Sequence, residues 1–214
     1  MTPTHPHAGQ PVVEAGAPVH AAPAVVIMVH GRNAEPANIL DLVPGLSRPY
    51  LAYLAPAAAG RTWYPNSFMA DIPTNEPFLS SALRRLEELV ARVESGDVPR
   101  ARIVLLGFSQ GACLTAEFAI RHASRYGGIV LFSGGAIGPP GTVWAHHGRF
   151  DGTPVFMGCS DQDSHVPAHR VSETAALFTT MGADVTMRLY PGMGHLVNDD
   201  EIAAAQVILD AASA

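Results

Sequence analysis

The chain has 214 residues, of which 48% are hydrophobic and 15% are charged. This balance is typical of a globular protein with a sizeable core, and it excludes a disordered chain. The formal net charge of −6 provides no basic surface, so nucleic acid is not expected as a partner, and no apolar stretch approaches the roughly 20 residues that span a bilayer.

The N-terminal part differs in composition from the rest of the chain. Residues 1–23 are rich in proline and histidine and are expected to form a partly loose arm with an edge strand at 12–15, ahead of a single domain over 24–214. Residues 1–10 contain neither a basic nor an apolar segment, so no secretory signal is expected. Cys113 and Cys159 fall on a predicted helix and a predicted strand as buried thiols, which favours a reducing compartment.

Beyond the arm, apolar runs alternate with helical patterns. The run 24–29 is apolar without alternation, as in a strand buried on both faces, whereas 79–93 repeats leucine and valine at helical spacing. Strands are predicted at 24–29, 50–54, 102–106, 128–132, 154–159 and 185–189, and helices at 36–42, 79–93, 111–124, 167–182 and 199–212. This alternation predicts an α/β fold with a mostly parallel sheet and helices on both faces.

The pentapeptide Gly107-Phe108-Ser109-Gln110-Gly111 joins a predicted strand to a predicted helix. A serine between two glycines at such a junction is the G-x-S-x-G nucleophile elbow, in which a tight turn exposes the serine hydroxyl above the sheet. The glycines are needed because a side chain on either side of the turn would collide with the neighbouring strand and helix. Ser109 is therefore the candidate nucleophile.

A serine nucleophile needs a base within hydrogen-bond reach and a third group that orients the base. Functional residues of open parallel sheets gather beyond the carboxyl ends of the strands. His195 follows the last predicted strand, and Asp161 and Asp163 both follow the strand before it. The order Ser, Asp, His is that of α/β-hydrolases. Asp163 is the favoured acid because it directly precedes the segment that packs back into the next helix, and Asp161 is expected to form a turn.

Two backbone amides are expected to bind the oxyanion of the transition state. One is the N–H of Gln110, directly after the nucleophile, and the other is the N–H of Arg32 in the loop after the first core strand. Gly31 allows the backbone of that loop to approach closely. For the Arg32 side chain, contact with substrate and simple exposure to solvent both remain open.

The irregular segment 55–77 carries large apolar side chains over the expected site. Trp63, Tyr64, Phe68 and Met69 are expected to line an acyl or alcohol pocket, the alternative being that they anchor the loop to the core. Glu76 is expected at the mouth of the site. Because the chain has little room for an inserted lid, a shallow site that suits short or medium acyl chains is expected.

Metal and nucleotide sites are not expected. His165 and His169 are four residues apart, but Pro167 lies between them at a predicted helix start, so the two do not share a helical face suited to zinc. No G-x-G-x-x-G follows the first strand, so the alternating pattern does not indicate a dinucleotide site.

Together, His30-Gly31-Arg32, the elbow, Asp163-Ser164-His165-Val166-Pro167 and Gly194-His195 resemble the phospholipase/carboxylesterase family. That family includes acyl-protein thioesterases and small bacterial carboxylesterases. The resemblance implies a cytoplasmic α/β-hydrolase without a cap domain, often a homodimer, with Ser109, Asp163 and His195 as the triad. Acyl-protein thioesterases have a small or aliphatic residue where Arg32 stands, so the chain is more similar to the bacterial carboxylesterases.

The expected function is that of a serine hydrolase which cleaves carboxylic esters, and also thioesters, of small to medium acyl groups through an acyl-enzyme on Ser109. No cofactor and no stable membrane insertion are expected. One alternative is a lysophospholipase or acyl-protein thioesterase acting on lipid-derived substrates, although no basic amphipathic helix supports it. The other is a hydrolase-fold protein that binds a ligand without turning it over, which the intact Ser, Asp and His disfavour.

Overall fold

The computed structural model describes residues 5–214 of the chain. Seven strands form one sheet: β1 (Val12–Gly16), β2 (Val25–Val29), β3 (Ala52–Pro56), β4 (Ile103–Phe108), β5 (Gly128–Phe132), β6 (Pro154–Ser160) and β7 (Asp184–Tyr190). Their order in the sheet is β1-β3-β2-β4-β5-β6-β7. β1 runs antiparallel to β3, and all the other neighbouring strands are parallel.

Helices cover both faces of the sheet: α1 (Pro36–Leu40), α2 (Val43–Leu46), α3 (Phe78–Glu94), α4 (Gln110–Arg121), α5 (Ala168–Thr180) and α6 (Asp199–Ser213). The predicted α/β architecture, a mostly parallel sheet between two helical layers, is confirmed. Within residues 5–214, none of these helices combines the length and the apolar character that crossing a membrane requires.

Alternate residues of the central strands pack into two separate apolar clusters. Val25 and Ile27 of β2 face a cluster that includes side chains of α3, α4 and α5. Val26 and Met28 face the other cluster, together with side chains of α1, α2 and α6. All five residues of β2 are buried, which explains why its sequence is apolar without alternation.

The N-terminal arm is packed more firmly than its composition predicts. β1 is the antiparallel edge strand expected near 12–15. Ahead of it, His7 is fully buried, where Nε2 bonds to the carbonyl of Trp63 and Nδ1 accepts from the amide of Ala59, each at 3.0 Å. The arm is therefore fixed to the segment after β3 at this point. Residues 1–4 of the predicted arm lie outside the described range.

β3 begins two residues later than predicted, because residues 48–51 form a turn closed by a 3.0 Å hydrogen bond from the Leu51 amide to the Arg48 carbonyl. The sheet register pairs Val29 with Gly107 and Ser160 with Tyr190. The loops after β2, β4, β6 and β7 therefore emerge along one edge of the sheet.

The N-terminus of α6 contains a buried carboxylate. The Asn198 side chain accepts from the amide of Glu201, and Glu201 Oε2 accepts from the amide of Asn198, which forms a capping box. Glu201 is fully buried, and its Oε1 has no hydrogen-bond partner among the described residues. Burial, opposed by the Asn198 amide and assisted by the charge of Asp200, raises the pKa of Glu201 from 4.5 to about 7.

This raised pKa predicts how replacement of Glu201 changes stability with pH. The folded state binds the proton more tightly than the unfolded state does, so wild-type stability falls as pH rises from about 4.5 to 7. Glu201→Gln keeps the capping geometry without the charge. We expect a Tm close to that of the wild type at pH 4.5 and a clearly higher Tm at pH 8, because the shift of the pKa from 4.5 to about 7 corresponds to up to about 3 kcal/mol and each kcal/mol changes Tm by about 2–4 °C in a domain of this size.

Thermal unfolding of both proteins at the two pH values measures this difference. Asp199→Asn is the matched control, because Asp199 is an exposed acid in the same first turn and its loss is expected to lower stability slightly. A Glu201→Gln variant whose Tm difference from the wild type did not change with pH would contradict the assignment.

Candidate active site

Ser109 lies at the turn between β4 and α4 in a left-handed conformation, with φ 56° and ψ −122°. A non-glycine residue in such a region is strained by roughly 1–3 kcal/mol. The flanking glycines permit the turn: a Cβ on Gly107 would lie 2.5 Å from the carbonyl oxygen of Gly111, and one on Gly111 would collide with the carbonyl of Val29. The chain therefore has the backbone geometry of the predicted elbow.

Ser109, His195 and Asp163 form a continuous hydrogen-bonded chain. Ser109 Oγ lies 2.8 Å from His195 Nε2, and His195 Nδ1 lies 2.7 Å from Asp163 Oδ2. Because an ionised carboxylate only accepts hydrogen bonds, Nδ1 carries the hydrogen and Nε2 is free to accept from the serine hydroxyl. Three side chains from distant parts of the chain are thus brought within proton-transfer distance.

Asp163, and not Asp161, contacts His195. The Asp163 side chain is fully buried, and its Oδ1 also accepts from the amides of His165 at 2.8 Å and Val166 at 3.0 Å. Burial alone would raise the pKa of Asp163, but the bonds from His195 and the two amides outweigh it and hold the pKa below its ordinary value. Asp161 instead accepts from the Gly192 amide at 2.8 Å and ties the β6 loop to the His195 loop.

Two aromatic rings hold the His195 imidazole in place. The Phe108 ring lies 5.0 Å from it, centroid to centroid, and the His165 ring meets it edge-on at 4.7 Å. The loop that carries His195 is anchored by the Gly194 amide, which donates to Ser160 Oγ at 3.1 Å. The contact with His165 was not predicted, because sequence spacing does not indicate which way a loop histidine points.

The amides of Arg32 and Gln110 are both available as donors beside Ser109. Neither donates to an acceptor among residues 5–214, and the cavity that contains Ser109 is lined by both residues. Gly31 brings the first loop close, since a Cβ on Gly31 would lie 3.4 Å from Ser109 Cβ. Gln110 is the first residue of α4, so its amide also carries the positive end of the helix dipole.

Hydrogen bonds of the His30 side chain support the loop that carries Arg32. His30 is buried, and its burial lowers its pKa, so the ring is neutral. Its Nδ1 bonds to the Gly31 carbonyl at 2.8 Å, and its Nε2 accepts from the Ala58 amide at 3.2 Å. The Trp63 indole N–H donates to the His30 carbonyl at 2.8 Å, which fixes the backbone just ahead of the candidate donor.

The side chains of Gln110 and Arg32 both hold the segment 62–66, which we call the strap. Gln110 Oε1 accepts from the Trp63 amide at 2.9 Å and the Thr62 hydroxyl at 3.2 Å, and Nε2 donates to the Tyr64 carbonyl at 2.8 Å. Arg32 donates to the carbonyls of Pro65 at 2.8 Å and Asn66 at 2.6 Å. The two residues whose amides are the candidate oxyanion donors are therefore linked through one segment. Sequence reasoning assigned Gln110 a backbone role alone and missed this one.

A cavity of about 620 Å³ lies in front of Ser109 and His195. Tyr64 and Phe68 line it, together with Arg32 and His165, and their contact with substrate stays a prediction. Among residues 5–214, no group of three or more His, Cys, Asp or Glu side chains is arranged to hold a metal ion.

Three other residues predicted to bind substrate lie outside the cavity lining, and these predictions are corrected. Trp63 is fully buried beneath the His30 loop, with its ring 4.9 Å from that of His30. Met69 packs against the apolar core on the α3 side of the sheet. Glu76 is exposed and accepts from the amide and hydroxyl of Ser80 in the first turn of α3. For Trp63 and Met69, anchoring to the core describes the structure better than contact with a ligand.

Comparison with known proteins identifies related sequences over nearly the whole chain. Residues 8–213 match the model of the phospholipase/carboxylesterase family. The chain is 31% identical over 141 residues to acyl-protein thioesterase 1 of Eremothecium gossypii, an alignment that covers 62% of this chain and 58% of the relative. It is 33% identical over 121 residues to the Gibberella zeae protein of the same name, covering 55% and 50%. The matches thus span only 50–58% of the length of these relatives.

Solved structures share the architecture. A phospholipase/carboxylesterase from Dyadobacter fermentans superimposes with a TM-score of 0.91 at 40% identity, covering 94% of this chain and 97% of that one. The Bacillus cereus carboxylesterase superimposes with a TM-score of 0.77 at 21% identity, covering 96% and 95%. The predicted α/β-hydrolase fold is therefore confirmed.

The Gln110 side chain bonds to the strap, and the backbone N–H of the same residue is a candidate oxyanion donor. Loss of the side-chain bonds is therefore expected to affect turnover. Gln110→Met keeps the backbone N–H and the approximate volume but removes all three side-chain bonds. We expect kcat on a short ester to fall about tenfold with little change in KM, less than the hundredfold or more that loss of a whole oxyanion donor costs. Steady-state kinetics measure the effect.

Thr62→Val serves as the matched variant, because it removes just one of the three contacts and should produce a smaller decrease in kcat. If folded Gln110→Met had wild-type kcat, the side chain would have no part in positioning the amide.

Proposed function

The chain belongs to the phospholipase/carboxylesterase family, and on that premise we propose that it is a serine hydrolase that cleaves carboxylic esters of small to medium acyl groups. The observation that carries the proposal is the hydrogen-bonded chain from Ser109 through His195 to Asp163, with links of 2.8 and 2.7 Å. It joins a nucleophile, a base and an orienting acid beside two free amides and an open cavity, which is the arrangement that acyl transfer requires.

In the first half of the reaction, Ser109 Oγ attacks the ester carbonyl carbon while His195 Nε2 takes the hydroxyl proton. The carbonyl π electrons move to the oxygen, which receives hydrogen bonds from the amides of Arg32 and Gln110. Asp163, ionised because its pKa is lowered, stabilises the imidazolium and holds its orientation. The tetrahedral intermediate then expels the alkoxide, which takes the proton from His195 and leaves as the alcohol.

In the second half, water replaces the alcohol. His195 takes a proton from the water as its oxygen attacks the acyl carbon, and the same two amides hold the second oxyanion. Collapse of this intermediate breaks the bond to Ser109 Oγ, which regains its proton from His195, and the carboxylic acid is released. Ester and water thus give acid and alcohol through groups that this chain itself supplies.

Thioesters are a second candidate substrate class, because the curated relatives are named acyl-protein thioesterases. The chemistry is the same apart from the leaving group, which departs as a thiol. Lipid-derived substrates belong to this alternative. A homodimer and a cytoplasmic location stay predictions of the family resemblance.

Replacement of the nucleophile tests the enzymatic proposal directly. Ser109→Ala should lower hydrolysis of a p-nitrophenyl ester with a short acyl chain to near the uncatalysed rate, because no acyl-enzyme can form. The measurement is nitrophenolate release by matched amounts of folded wild type and variant. Equal rates in the two proteins would point to the alternative of a binding protein without turnover.

The two aspartates of the β6 loop provide a matched pair of variants. Asp163→Asn should reduce kcat by about 10³–10⁴-fold, since an amide at this position favours the wrong imidazole tautomer. Asp161→Asn removes a charge two residues away whose one side-chain bond within residues 5–214 is to the Gly192 amide, and it should cost less than about tenfold. A similar loss of kcat in both variants would indicate a general disturbance of the loop and not a specific role for Asp163.

Matched oxygen and sulfur esters separate the two substrate classes. We expect kcat/KM to decrease for long acyl chains, since the cavity is open to solvent and the far part of a long chain would stay in water, where its methylene groups add no binding energy. Acetyl to palmitoyl esters, each with its thioester counterpart, give the comparison. Faster turnover of palmitoyl thioesters than of butyryl esters would favour the lipid-directed alternative.

A further inference from the structure

The cavity in front of Ser109 contains one permanent charge. Among residues 5–214, Arg32 is the single lysine or arginine in its lining, and no aspartate or glutamate of that range lines it, Asp163 being buried behind His195. Apolar side chains, among them Phe68, Phe108 and Val166, line other parts of it. A ligand that fills this cavity therefore meets apolar surface and one localised positive charge.

The charge of Arg32 is not neutralised within the described part of the chain. No carboxylate between residues 5 and 214 lies within ion-pair distance of it. Its two hydrogen bonds go to the carbonyls of Pro65 and Asn66, which are neutral acceptors. By contrast, Arg61 of the same region pairs with Glu35. A guanidinium without a carboxylate partner, on a residue that lines a cavity, is a common basis for the recognition of carboxylates and phosphates.

The strap also holds the Arg32 guanidinium in a fixed position. The carbonyls of Pro65 and Asn66 accept from different terminal nitrogens of Arg32. The guanidinium carbon lies 5.9 Å from the centre of the Tyr64 ring. A guanidinium has five N–H donors, so about three stay available after these two bonds are made. Because the side chain is already ordered, less conformational entropy is lost when it binds an anion.

We propose that Arg32 selects esters that carry an additional carboxylate, and this inference rests on the proposed function. The carboxylate pairs with the Arg32 guanidinium while the ester carbonyl lies at Ser109, and it is unchanged by the hydrolysis. The extra carboxylate belongs either to the acyl part, as in a monoester of a dicarboxylic acid, or to the alcohol part, as in an ester of a hydroxy acid. The net charge of −6 gives no general attraction for anions, so the selection is local to Arg32.

Pairs of esters that differ in one carboxylate test the proposal. The acyl pair is the mono-p-nitrophenyl ester of glutaric acid against p-nitrophenyl pentanoate, and the alcohol pair is 3-carboxyphenyl acetate against phenyl acetate. The measured quantity is the ratio of kcat/KM for the anionic ester to that for the neutral ester. This ratio corrects for any loss of general activity when the contacts of Arg32 with the strap are removed.

We expect Arg32→Met to lower the ratio at least about threefold on one of the two pairs, and the affected pair shows which part of the substrate carries the anion. Arg32→Lys should give an intermediate ratio, because the charge stays but the planar fork is lost. Arg102→Met is the matched control. It removes the same charge from an exposed residue directly before β4, at the edge of the sheet away from Ser109, and should leave both ratios unchanged.

A measurement on the wild type alone keeps the test decisive if an Arg32 variant does not fold. Raising NaCl from 0.05 to 0.5 M should lower the ratio for the affected pair, because salt screens the attraction. Ratios that are insensitive to both Arg32 and salt, with neutral esters still cleaved through Ser109, would overturn the selection by Arg32 and leave the proposed function intact. Failure of the wild type to cleave any of the four esters would instead count against the proposed function itself, and the inference with it.

Discussion

The first turn of α4 packs directly against the carbonyl groups of Val29 and His30 at the end of β2, where Gly111 leaves no space for a side chain. This backbone contact sets the distance between the elbow and the neighbouring strand. It places Ser109 beside Gly31, so that the loops carrying the two candidate oxyanion amides meet at the nucleophile. The left-handed φ at Ser109 follows from the same constraint, because the chain reverses from strand to helix within two residues. The relative positions of hydroxyl and amides thus depend on one close approach of main chain to main chain.

Two buried carboxylates at the same edge of the sheet show how local donors decide protonation. Asp163 accepts three hydrogen bonds from nitrogen donors and one from the Cys159 thiol, and it has a lowered pKa, so it is charged at neutral pH. Glu201 receives one bond at Oε2 and none from described residues at Oε1, and its pKa is raised to about 7. Burial favours the neutral form in both carboxylates, but the bonds from His195 and two amides oppose it at Asp163, whereas at Glu201 a single amide opposes it and the charge of Asp200 adds to it. Below neutral pH, Asp163 is therefore the carboxylate that supplies full negative charge near His195, while Glu201 caps α6 largely in its neutral form.

Short-range patterns in the sequence predict the strands, the helices and the elbow, because apolar periodicity and glycine placement reflect local backbone geometry. The topology of parallel sheets then explains why His195 and Asp163 could be predicted to approach Ser109 from strand ends alone. The irregular segment could not be resolved in this way. Whether Trp63 faces a cavity or the core depends on contacts with His30 and His7, which are 33 and 56 residues away along the chain. The same holds for the Gln110 side chain, whose partners lie 46 to 48 residues away.

The strap has a consequence for how the substrate range of this protein can diverge. One loop both shapes the cavity, through Tyr64, and bonds to the side chains of Arg32 and Gln110, whose backbone amides are the candidate oxyanion donors. Substitutions that remodel this loop to admit a new ligand would also remove restraints on the two candidate oxyanion donors, so under the proposed mechanism selectivity and rate are coupled there. Phe68 and Val166 line the cavity without side-chain hydrogen bonds to either restrained residue. Substitutions at those two positions, in evolution or by design, would therefore change the shape of the cavity without breaking the bonds that hold Arg32 and Gln110.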